Sequence, residues 1–261
     1  MTTVRGMDDA ELLRYSRHIL LRHFDVDGQQ RLRDARVLVV GVGGLGSPAA
    51  MYLATSGVGR LVLADADHVE TSNLPRQPLH DDSRLGWNKA HSAAAAIHAL
   101  NAGVAVEALS ERLDADSLPG VVARVDVVLD CSDNLATRHA VNAACVAAAT
   151  PLVSGAALGW EGQISVFDPA RGGPCYACLY PMHDVREERA CAVNGVAAPV
   201  VGTIGVLQAL EALKLITGAG APLRGELLVF DGLDAEFHRL RIPPRADCPV
   251  CSAAQASGST G

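Results

Sequence analysis

Residues 36–46, with the sequence RVLVVGVGGLG, constrain the fold more than any other stretch of the chain. The apolar, β-branched run at 37–40 is typical of a strand that is buried on both faces. Three glycines follow it in a G-x-G-x-x-G pattern, namely Gly41, Gly43 and Gly46. Ser47-Pro48 then opens a helix, because proline suits a first helical turn. The stretch predicts a strand–turn–helix unit whose backbone amides can face a pyrophosphate.

A second strand and an acidic residue complete this unit. Residues 60–64 are predicted to form the strand, which ends at Asp65, 19 residues beyond Gly46. An acid at this distance can accept hydrogen bonds from a ribose. A tight β–α turn without a ligand is the alternative. The order of strand, helix, strand and acid favours a nucleotide site.

The rest of the chain predicts an α/β fold with a Rossmann-like, mostly parallel sheet that antiparallel strands continue. Further parallel strands are predicted at 104–109, 125–130 and 151–154, and later strands at 163–167, 226–230 and 236–241. We expect one domain over residues 1–251, with a nucleotide-binding half at about 30–155, a second half at about 156–251, and a disordered tail at 252–261.

Charge and hydropathy exclude several classes of protein. The net charge of −7 argues against binding to nucleic acid or to an acidic membrane surface. The N-terminal residues include acids and no long apolar run, so they do not resemble a signal peptide. Two uncharged runs, 140–160 and 191–210, are interrupted by proline and glycine and are expected in the core. We expect a cytoplasmic protein without a membrane span.

Polar residues follow the predicted strands at the edge where α/β sheets bind ligands. The loop at 65–77 carries Asn73, Arg76 and Gln77, and its length and arginine favour a triphosphate over a dinucleotide. Lys89 begins the next predicted helix, where it either lies on the surface or faces phosphate. Asp133 follows the strand at 125–130 and either caps the next helix or holds Mg²⁺.

Four of the seven cysteines form two C-x-x-C pairs, Cys175 with Cys178 and Cys248 with Cys251. Four thiolates with this spacing suit a tetrahedral Zn²⁺ that clips two distant segments together. Redox chemistry and chance are the alternatives, but neither pair follows a thioredoxin-like strand. A site closed by four cysteines has no open position for substrate. We therefore predict a structural zinc clip.

These motifs together resemble the MoeB/ThiF/HesA family of ubiquitin-activating-enzyme-like adenylyltransferases. The resemblance rests on the glycine motif, SNLPRQ at 72–77, LDCSDN at 129–134, SGAALGWEGQ at 154–163 and both cysteine pairs, and it runs from Leu12 to Cys251. The N-terminal segment LRYSRHILL is most similar to MoeB-type members.

The resemblance implies ATP-dependent adenylation of the C-terminal glycine carboxylate of a ubiquitin-like sulfur-carrier protein that ends in Gly-Gly. A MoaD-like carrier for molybdopterin biosynthesis is the first expectation. A ThiS-like carrier, or one that serves cysteine or secondary-metabolite synthesis, is the alternative. A nicotinamide-dependent oxidoreductase or a zinc-stabilised binding module would be a different class of protein. The expected cofactors are ATP, Mg²⁺ and structural Zn²⁺.

The resemblance also implies roles for individual residues. Asp65 would bind the ribose, Arg76 and Lys89 the phosphates, and Asp133 the Mg²⁺. Arg17 would reach the ATP site of a neighbouring subunit, which implies a homodimer, and Cys191 is a candidate for a covalent link to the carrier. A sulfur donor, cysteine desulfurase or rhodanese, is a further candidate partner. The full expected nucleotide set is Gly41, Gly43, Gly44, Gly46, Asp65, Asp67, Asn73, Arg76, Gln77, Lys89, Asp133 and Asn134.

Overall fold

The computed structural model describes residues 6–182 and 195–252. In this part of the chain the α-helices are α1 (Asp9–Arg14), α2 (Ser16–Ile19), α3 (Asp25–Asp34), α4 (Gly46–Thr55), α5 (Lys89–Leu100), α6 (Leu118–Val122), α7 (Leu135–Ala148), α8 (Tyr176–Leu179) and α9 (Ala198–Thr217). The strands are β1 (Arg36–Val40), β2 (Arg60–Ala64), β3 (Ala105–Leu109), β4 (Val127–Asp130), β5 (Leu152–Leu158), β6 (Glu161–Phe167), β7 (Glu226–Asp231) and β8 (Glu236–Arg241). Short 3₁₀ helices cover Thr71–Arg76, Asp82–Arg84 and Pro169–Arg171.

The strands form one eight-stranded sheet in the order β3-β2-β1-β4-β5-β6-β7-β8. The pairs from β3 to β5 are parallel. The pairs from β5 to β8 are antiparallel. This arrangement confirms the predicted fold class. The order reverses next to β1, between β1 and β4, and such switch points are where open α/β sheets bind ligands at the carboxyl ends of their strands.

Alternate residues of β1 point into two separate cores, which explains its continuous apolar sequence. Val37 and Val39 pack with the helices on one face, while Leu38 and Val40 pack with those on the other. Residues of α4, α5 and α9 contribute to the first core, and residues of α6 and α7 to the second. A strand covered on both faces needs no polar side.

Helix α9 explains the second uncharged run. It is the one helix in the described residues that is long and apolar enough to cross a membrane by length and composition. Half of its most apolar window is buried, and it packs against α4, β5 and β6. At Gly205, a Cβ atom would lie only 2.3 Å from the carbonyl oxygen of Leu45. Its composition therefore follows from its place in the core.

Two helices are shorter than the sequence predicts. An apolar stripe at helical spacing, with Asp8 and Glu11 as a capping box, predicts one helix at 8–21, and a second, short helix is predicted at 113–124. The helix expected at 8–21 is divided at Tyr15 into α1 and α2, although the predicted capping box of Asp8 and Glu11 is present. Tyr15 instead turns its hydroxyl group to Asn101, whose Nδ2 donates to it at 2.9 Å. The helix expected at 113–124 covers only α6, because the Asp114 carboxylate accepts from the backbone of Ser117 and forms a turn first.

The expected tail lies outside the described residues from 253 onward, and its disorder stays a prediction. The division of the domain into two halves near residue 155 also stays a prediction. The chain changes from parallel to antiparallel pairing at β5, which covers that position.

Candidate functional site

The glycine loop lies at the carboxyl end of β1 and leads into α4. Gly41 has a φ of +84°, and a Cβ atom there would lie 2.8 Å from the carbonyl oxygen of Cys131. A Cβ atom at Gly46 would lie 1.9 Å from the Gly41 carbonyl oxygen. Both positions therefore require glycine. Gly43 and Gly44 lie between them. The loop runs directly into the N-terminus of α4, and a helix N-terminus next to such a loop is suited to bind an anion.

Asp65 ends β2 next to this loop. Its Oδ2 accepts from the Val42 amide at 2.7 Å, and its Oδ1 accepts from the Asp67 amide at 2.9 Å. Burial raises the pKa of Asp65 above its ordinary value, although both amide bonds act in the opposite direction. The carboxylate thus fixes the glycine loop, a function that the sequence did not predict, and each oxygen keeps a second lone pair for a ligand.

Lys89 begins α5 and is buried, so the alternative of a surface lysine is wrong. Only 10 % of its side chain is exposed, and its Nζ lies 3.0 Å from Oδ2 of Asp67. The side chain of Asn88 caps this helix by accepting from the amides of Ala90 and His91. Asp67 is itself mostly exposed. An incoming phosphate would therefore compete with a single accessible carboxylate for a lysine that is already in place.

The polar loop after β2 folds back onto the glycine loop. The side chain of Arg76 is half-buried, its Nη1 donates to the Ser72 carbonyl at 2.8 Å, and its stem lies beside Gly44. Gln77 is buried with its amide group beside Gly43, and its Oε1 has no hydrogen-bond partner in the structure. Both residues lie beside the glycine loop, and their predicted contact with nucleotide stays a prediction.

Asn73 acts mainly within the loop. It is buried, and its Oδ1 accepts from the Glu70 amide at 3.3 Å. This contact closes the first turn of the 3₁₀ helix Thr71–Arg76. Its predicted contact with nucleotide stays a prediction.

Asp133 does not cap the following helix, so the capping alternative is wrong. Asn134 is the N-cap of α7, and its Oδ1 accepts from the Thr137 amide at 2.9 Å. Asp133 is exposed at the same edge, in the loop that Gly41 contacts through Cys131. The carboxylate is therefore accessible beside the glycine loop, as a Mg²⁺ ligand must be.

A buried ion pair supports this loop, and sequence reasoning did not find it. Asp130 is fully buried at the end of β4, and its Oδ2 lies 3.4 Å from Nη1 of Arg138. Its Oδ1 accepts from the Ser132 hydroxyl at 2.6 Å, and Arg138 donates to the Ser132 carbonyl. Burial opposes the charge of Arg138, but Asp130 raises its pKa. The signal in the sequence was an arginine on the buried face of a helix that follows a strand-terminal acid.

Gln208 of α9 holds the same loop from the opposite side. Its Nε2 donates to the carbonyl oxygens of Asp130 at 2.8 Å and Val153 at 3.3 Å, and its Oε1 accepts from the Cys131 thiol. Burial raises the pKa of Cys131 far above its ordinary range, so this cysteine is not a nucleophile.

Arg17 lies away from the glycine loop of its own chain. Its neighbour Tyr15 packs its ring against Gly57, just beyond the C-terminus of α4. The ten residues of α4 separate that end from the glycine loop by about 15 Å. The side chain of Arg17 is exposed. Because it lies far from the glycine loop of its own chain, Arg17 could act on a nucleotide only in the site of another subunit. The predicted reactive Cys191 lies outside the described residues.

The four predicted zinc ligands meet in one buried cluster. Their sulfur atoms all lie within 4.8 Å of one another. Cys175 and Cys248 are 3.7 Å apart, and Cys178 and Cys251 are 3.5 Å apart, both too long for disulfide bonds. Zn–S bonds of about 2.3 Å in a tetrahedron place sulfurs about 3.8 Å apart. The spacing and donor set therefore fit Zn²⁺.

Neighbouring N–H groups face these sulfurs. The Arg245 amide lies 3.5 Å from Cys178 Sγ, and Asn142 Nδ2 lies 3.7 Å from Cys175 Sγ. Burial alone would raise the pKa of Cys248, but backbone amides of Val250 and Cys251 and nearby thiols lower it to about 7. Cys248 is therefore the thiol nearest to its thiolate form, whereas burial raises the pKa of Cys175 to about 11 and that of Cys251 above its ordinary range, so these two would depend on the metal ion for deprotonation.

Comparison with known proteins places this geometry in context. The ThiF family model matches residues 15–250. The molybdopterin-synthase adenylyltransferase of Escherichia coli K12 is 46% identical over 245 residues, which cover 94% of this chain and 98% of that protein. The sulfur carrier protein ThiS adenylyltransferase of the same strain is 47% identical over 250 residues, with coverage of 96% and 99%.

A larger relative and a solved structure agree with these matches. The adenylyltransferase and sulfurtransferase MOCS3 of Mus musculus is 51% identical over 92% of this chain, but this match covers only 53% of the mouse protein. The crystal structure of E. coli MccB with ATP has a TM-score of 0.82 and 25% identity, and the match covers 94% of this chain and 75% of MccB. With matches to the family model and to full-length relatives over nearly all its length, this chain belongs to the ThiF family.

Proposed function

We propose that this chain is an adenylyltransferase that uses ATP to activate the C-terminal glycine carboxylate of a ubiquitin-like sulfur-carrier protein. One observation carries the proposal. The glycine loop, Arg76, the buried Lys89 and the exposed Asp133 all lie at the carboxyl edge of the parallel strands. An edge with two cations and an accessible carboxylate suits a metal-bound triphosphate better than it suits a dinucleotide.

The reaction needs positioning and charge neutralisation. A carrier carboxylate oxygen forms a bond to the α-phosphorus of ATP, the bond from that phosphorus to the bridging oxygen breaks, and pyrophosphate leaves with that electron pair. The attacking carboxylate is ionised at neutral pH, so no general base is required. Arg76 and Lys89 offset the repulsion between the two anions. Asp65 receives the ribose hydroxyls, and Gln77 and Asn73 complete the binding loop.

Mg²⁺ would be held by Asp133 and by the phosphates themselves, and it would neutralise the charge on the triphosphate. Asp67 holds Lys89 in position before nucleotide binds, at 3.0 Å. Asn134 keeps Asp133 exposed by taking the capping position itself.

The carrier is MoaD-like or ThiS-like. The relatives that are named for these two activities are 46% and 47% identical to this chain, so sequence similarity does not separate the pathways. A MoaD-like carrier of molybdopterin biosynthesis is the first candidate to test. A ThiS-like carrier, or one for another sulfur product, follows.

We place the carrier against the antiparallel half of the sheet. Strand β8 is exposed along its entire length, with Phe237 on one face and Leu240 on the other. Phe237 stacks on Phe230 at 4.6 Å, so it is held in position while half exposed. We infer that this fixed, half-exposed aromatic side chain is an anchor for the carrier protein. The sulfur donor and the predicted link through Cys191 belong to a later step.

Two further assignments complete the proposal. The four-cysteine cluster binds Zn²⁺ as a structural ion, since all four positions are occupied by protein. The enzyme acts in the cytoplasm as a homodimer in which Arg17 reaches the nucleotide of the partner subunit. Exposed leucines on the N-terminal helices support a subunit contact there, namely Leu13, Leu20 and Leu21.

The first test is Mg²⁺-dependent ATP–pyrophosphate exchange with a panel of purified carriers that end in Gly-Gly. Exchange with one carrier establishes the chemistry and identifies the pathway. No exchange with any carrier, with turnover of a nicotinamide cofactor instead, would replace this proposal by the oxidoreductase alternative.

The subunit arrangement has its own test. Neither Arg17→Ala nor Asp133→Ala homodimers should be active. After random subunit exchange, about half of the dimers are mixed, and each mixed dimer has one intact site of two. The mixture should therefore recover about a quarter of wild-type exchange. Native mass spectrometry verifies the mixing. No recovery in verified mixed dimers would remove Arg17 from the partner's site.

A further inference from the structure

Val42 follows the first glycine of the loop, and both its amide and its carbonyl group form a hydrogen bond with a side chain. Its amide donates to Asp65 Oδ2 at 2.7 Å. Its carbonyl oxygen lies 3.0 Å from Nε2 of His80. The first contact involves the predicted ribose acid, whereas the second comes from a residue that neither the motif nor the loop chemistry identified.

The partners of His80 define its protonation state. A carbonyl oxygen only accepts, so Nε2 must carry the hydrogen. In the neutral ring Nδ1 then accepts from the Ser92 hydroxyl, which lies 2.9 Å away. Burial lowers the pKa of His80, and the nearby charges of Lys89 and Arg84 act in the same direction. The neutral ring with hydrogen on Nε2 matches both contacts.

Ser92 connects this histidine to the other phosphate-binding element. It lies on α5, three residues after Lys89, and residues at this spacing share a helix face. Its carbonyl oxygen accepts from Nη1 of Arg84 at 2.7 Å. The ring of His80 therefore spans from the glycine loop to the helix that carries Lys89.

The main chain around His80 is also fixed. The Leu79 amide donates to the hydroxyl group of Ser47, in the first turn of α4, at 2.8 Å. The His80 amide donates to the Gln77 carbonyl at 3.0 Å. His80 is only 5% exposed and cannot reach a ligand itself. Its effect on a nucleotide must pass through Val42 and Ser92.

We propose that His80 is a positioning residue for the nucleotide, and that it locks the glycine loop to the helix of Lys89 through its neutral, Nε2-protonated ring. The inference rests on the proposed function, since it concerns the same ATP site. Loss of the Nε2 donor leaves the Val42 carbonyl without a partner in a buried position. The loop amides then no longer have one orientation relative to Lys89.

Two substitutions separate the two ring contacts. His80→Gln keeps an N–H donor near the Nε2 position, and His80→Asn keeps a polar atom near the Nδ1 position but cannot reach Val42. We expect His80→Asn to weaken ATP binding by about 10-fold or more, the effect of one buried acceptor left unpaired, while His80→Gln stays within about 3-fold. The matched control is His98→Asn, at an exposed position of helix α5, which also carries Ser92.

The measurements are ATP binding by calorimetry, carrier binding, and the thermal midpoint of each full-length variant. If His80 positions the nucleotide, His80→Asn weakens ATP binding and leaves carrier affinity unchanged, whereas His80→Gln has nearly the ATP affinity of the wild type. Equal ATP affinity in wild type and His80→Asn overturns the inference alone. Absence of ATP binding in the wild type overturns the proposed function as well.

A second measurement does not depend on variants that fold. Long-range ¹⁵N–¹H correlation spectra of the wild-type protein report which ring nitrogen of His80 carries the hydrogen. The expected result is a neutral ring protonated at Nε2. A ring protonated at Nδ1, or a charged ring at pH 7.5, would overturn the inference.

Discussion

The central parallel strands of the sheet and the β7–β8 hairpin at its antiparallel end differ in how much of each strand is covered, whereas the outer parallel strand β3 is partly exposed and the antiparallel strand β6 is largely buried. Residues of β4 are all buried, and β1 is buried except at its first residue. In contrast, β7 is partly exposed throughout, and β8 is exposed along its full length. The reason is connectivity, since parallel strands need crossover connections that bring helices onto both faces, whereas a hairpin such as β7–β8 brings none.

The difference assigns a separate task to each half. The covered half holds the glycine loop, Lys89 and Asp133 in fixed positions for chemistry on a small molecule. Under the proposed function, the open half presents Phe237 to the carrier protein. Gln208 of α9 lies at the boundary between them, because it donates to carbonyl groups of β4 and of β5, the strand at which the pairing changes from parallel to antiparallel. The comparison predicts that substitutions in one half affect the chemistry and that those in the other affect the partner or the stability.

The largest expected effect is in the covered half. Asp133→Ala should lower pyrophosphate exchange by about 10²–10³-fold, because it removes the charge that orients the metal-bound triphosphate. The fold and zinc content should not change, since Asp133 is exposed and Asn134 caps α7. The control Asp116→Ala removes an exposed carboxylate elsewhere. Substantial exchange by Asp133→Ala would remove this residue from the metal site.

Loss of the cysteine cluster should destabilise the protein. Cys178→Ser is expected to abolish zinc binding, measured as metal per chain by mass spectrometry, and to lower the thermal midpoint by at least about 5 °C. Cys145→Ala replaces a buried cysteine outside the cluster and should retain the metal. A full zinc content in Cys178→Ser, or none in the wild type, would contradict the clip.

A smaller effect is expected at the proposed anchor for the carrier protein. Phe237→Ala should weaken carrier binding about 10-fold by truncating an aromatic anchor, and leave ATP affinity unchanged. Its neighbour His238 points to the opposite face of β8, so His238→Ala is the control. Titration of labelled carrier measures both. Unchanged carrier affinity in Phe237→Ala would move the docking surface elsewhere.

The smallest effect concerns pH. Burial raises the pKa of Asp65 above its ordinary value of 3.8. As the pH rises, the folded protein therefore keeps the proton on Asp65 to a higher pH than the unfolded chain does. Protonation of Asp65 thus stabilises the fold at low pH, and this contribution to the free energy of unfolding is lost as the pH rises through the pKa of the folded state. Urea unfolding should show this loss in the wild type and not in Asp65→Asn. The exposed control Asp234→Asn should follow the wild type, and a slope of opposite sign would contradict the assignment.

Local patterns were sufficient for much of the fold and for the location of the site. The bounds predicted for β2 and β8 agree with the structure, and the predicted strand of β1 differs by one residue at its start. The two C-x-x-C pairs meet as predicted. Each of these depends on residues close in sequence, or on a metal geometry that admits few solutions.

Competition between neighbours limited the remaining predictions. Asp133 and Asn134 can each cap α7, and only the folded backbone selects Asn134. Tyr15 breaks a helix that its own sequence favours, because its hydroxyl group meets Asn101, 86 residues away. The proposed role of Arg17 would depend on a second chain, whose position a single sequence does not specify.

The sequence by itself determined the glycine turn, the acid after β2, the alternation of strands and helices, and the four-cysteine cluster, because each of these is specified by spacing along the chain. The tertiary structure alone decided which polar side chains meet across it. It paired Asp130 with Arg138, buried Lys89 against Asp67, and placed His80 between Val42 and Ser92. These contacts depend on the packing of distant segments, and buried polar groups must find partners wherever that packing places them.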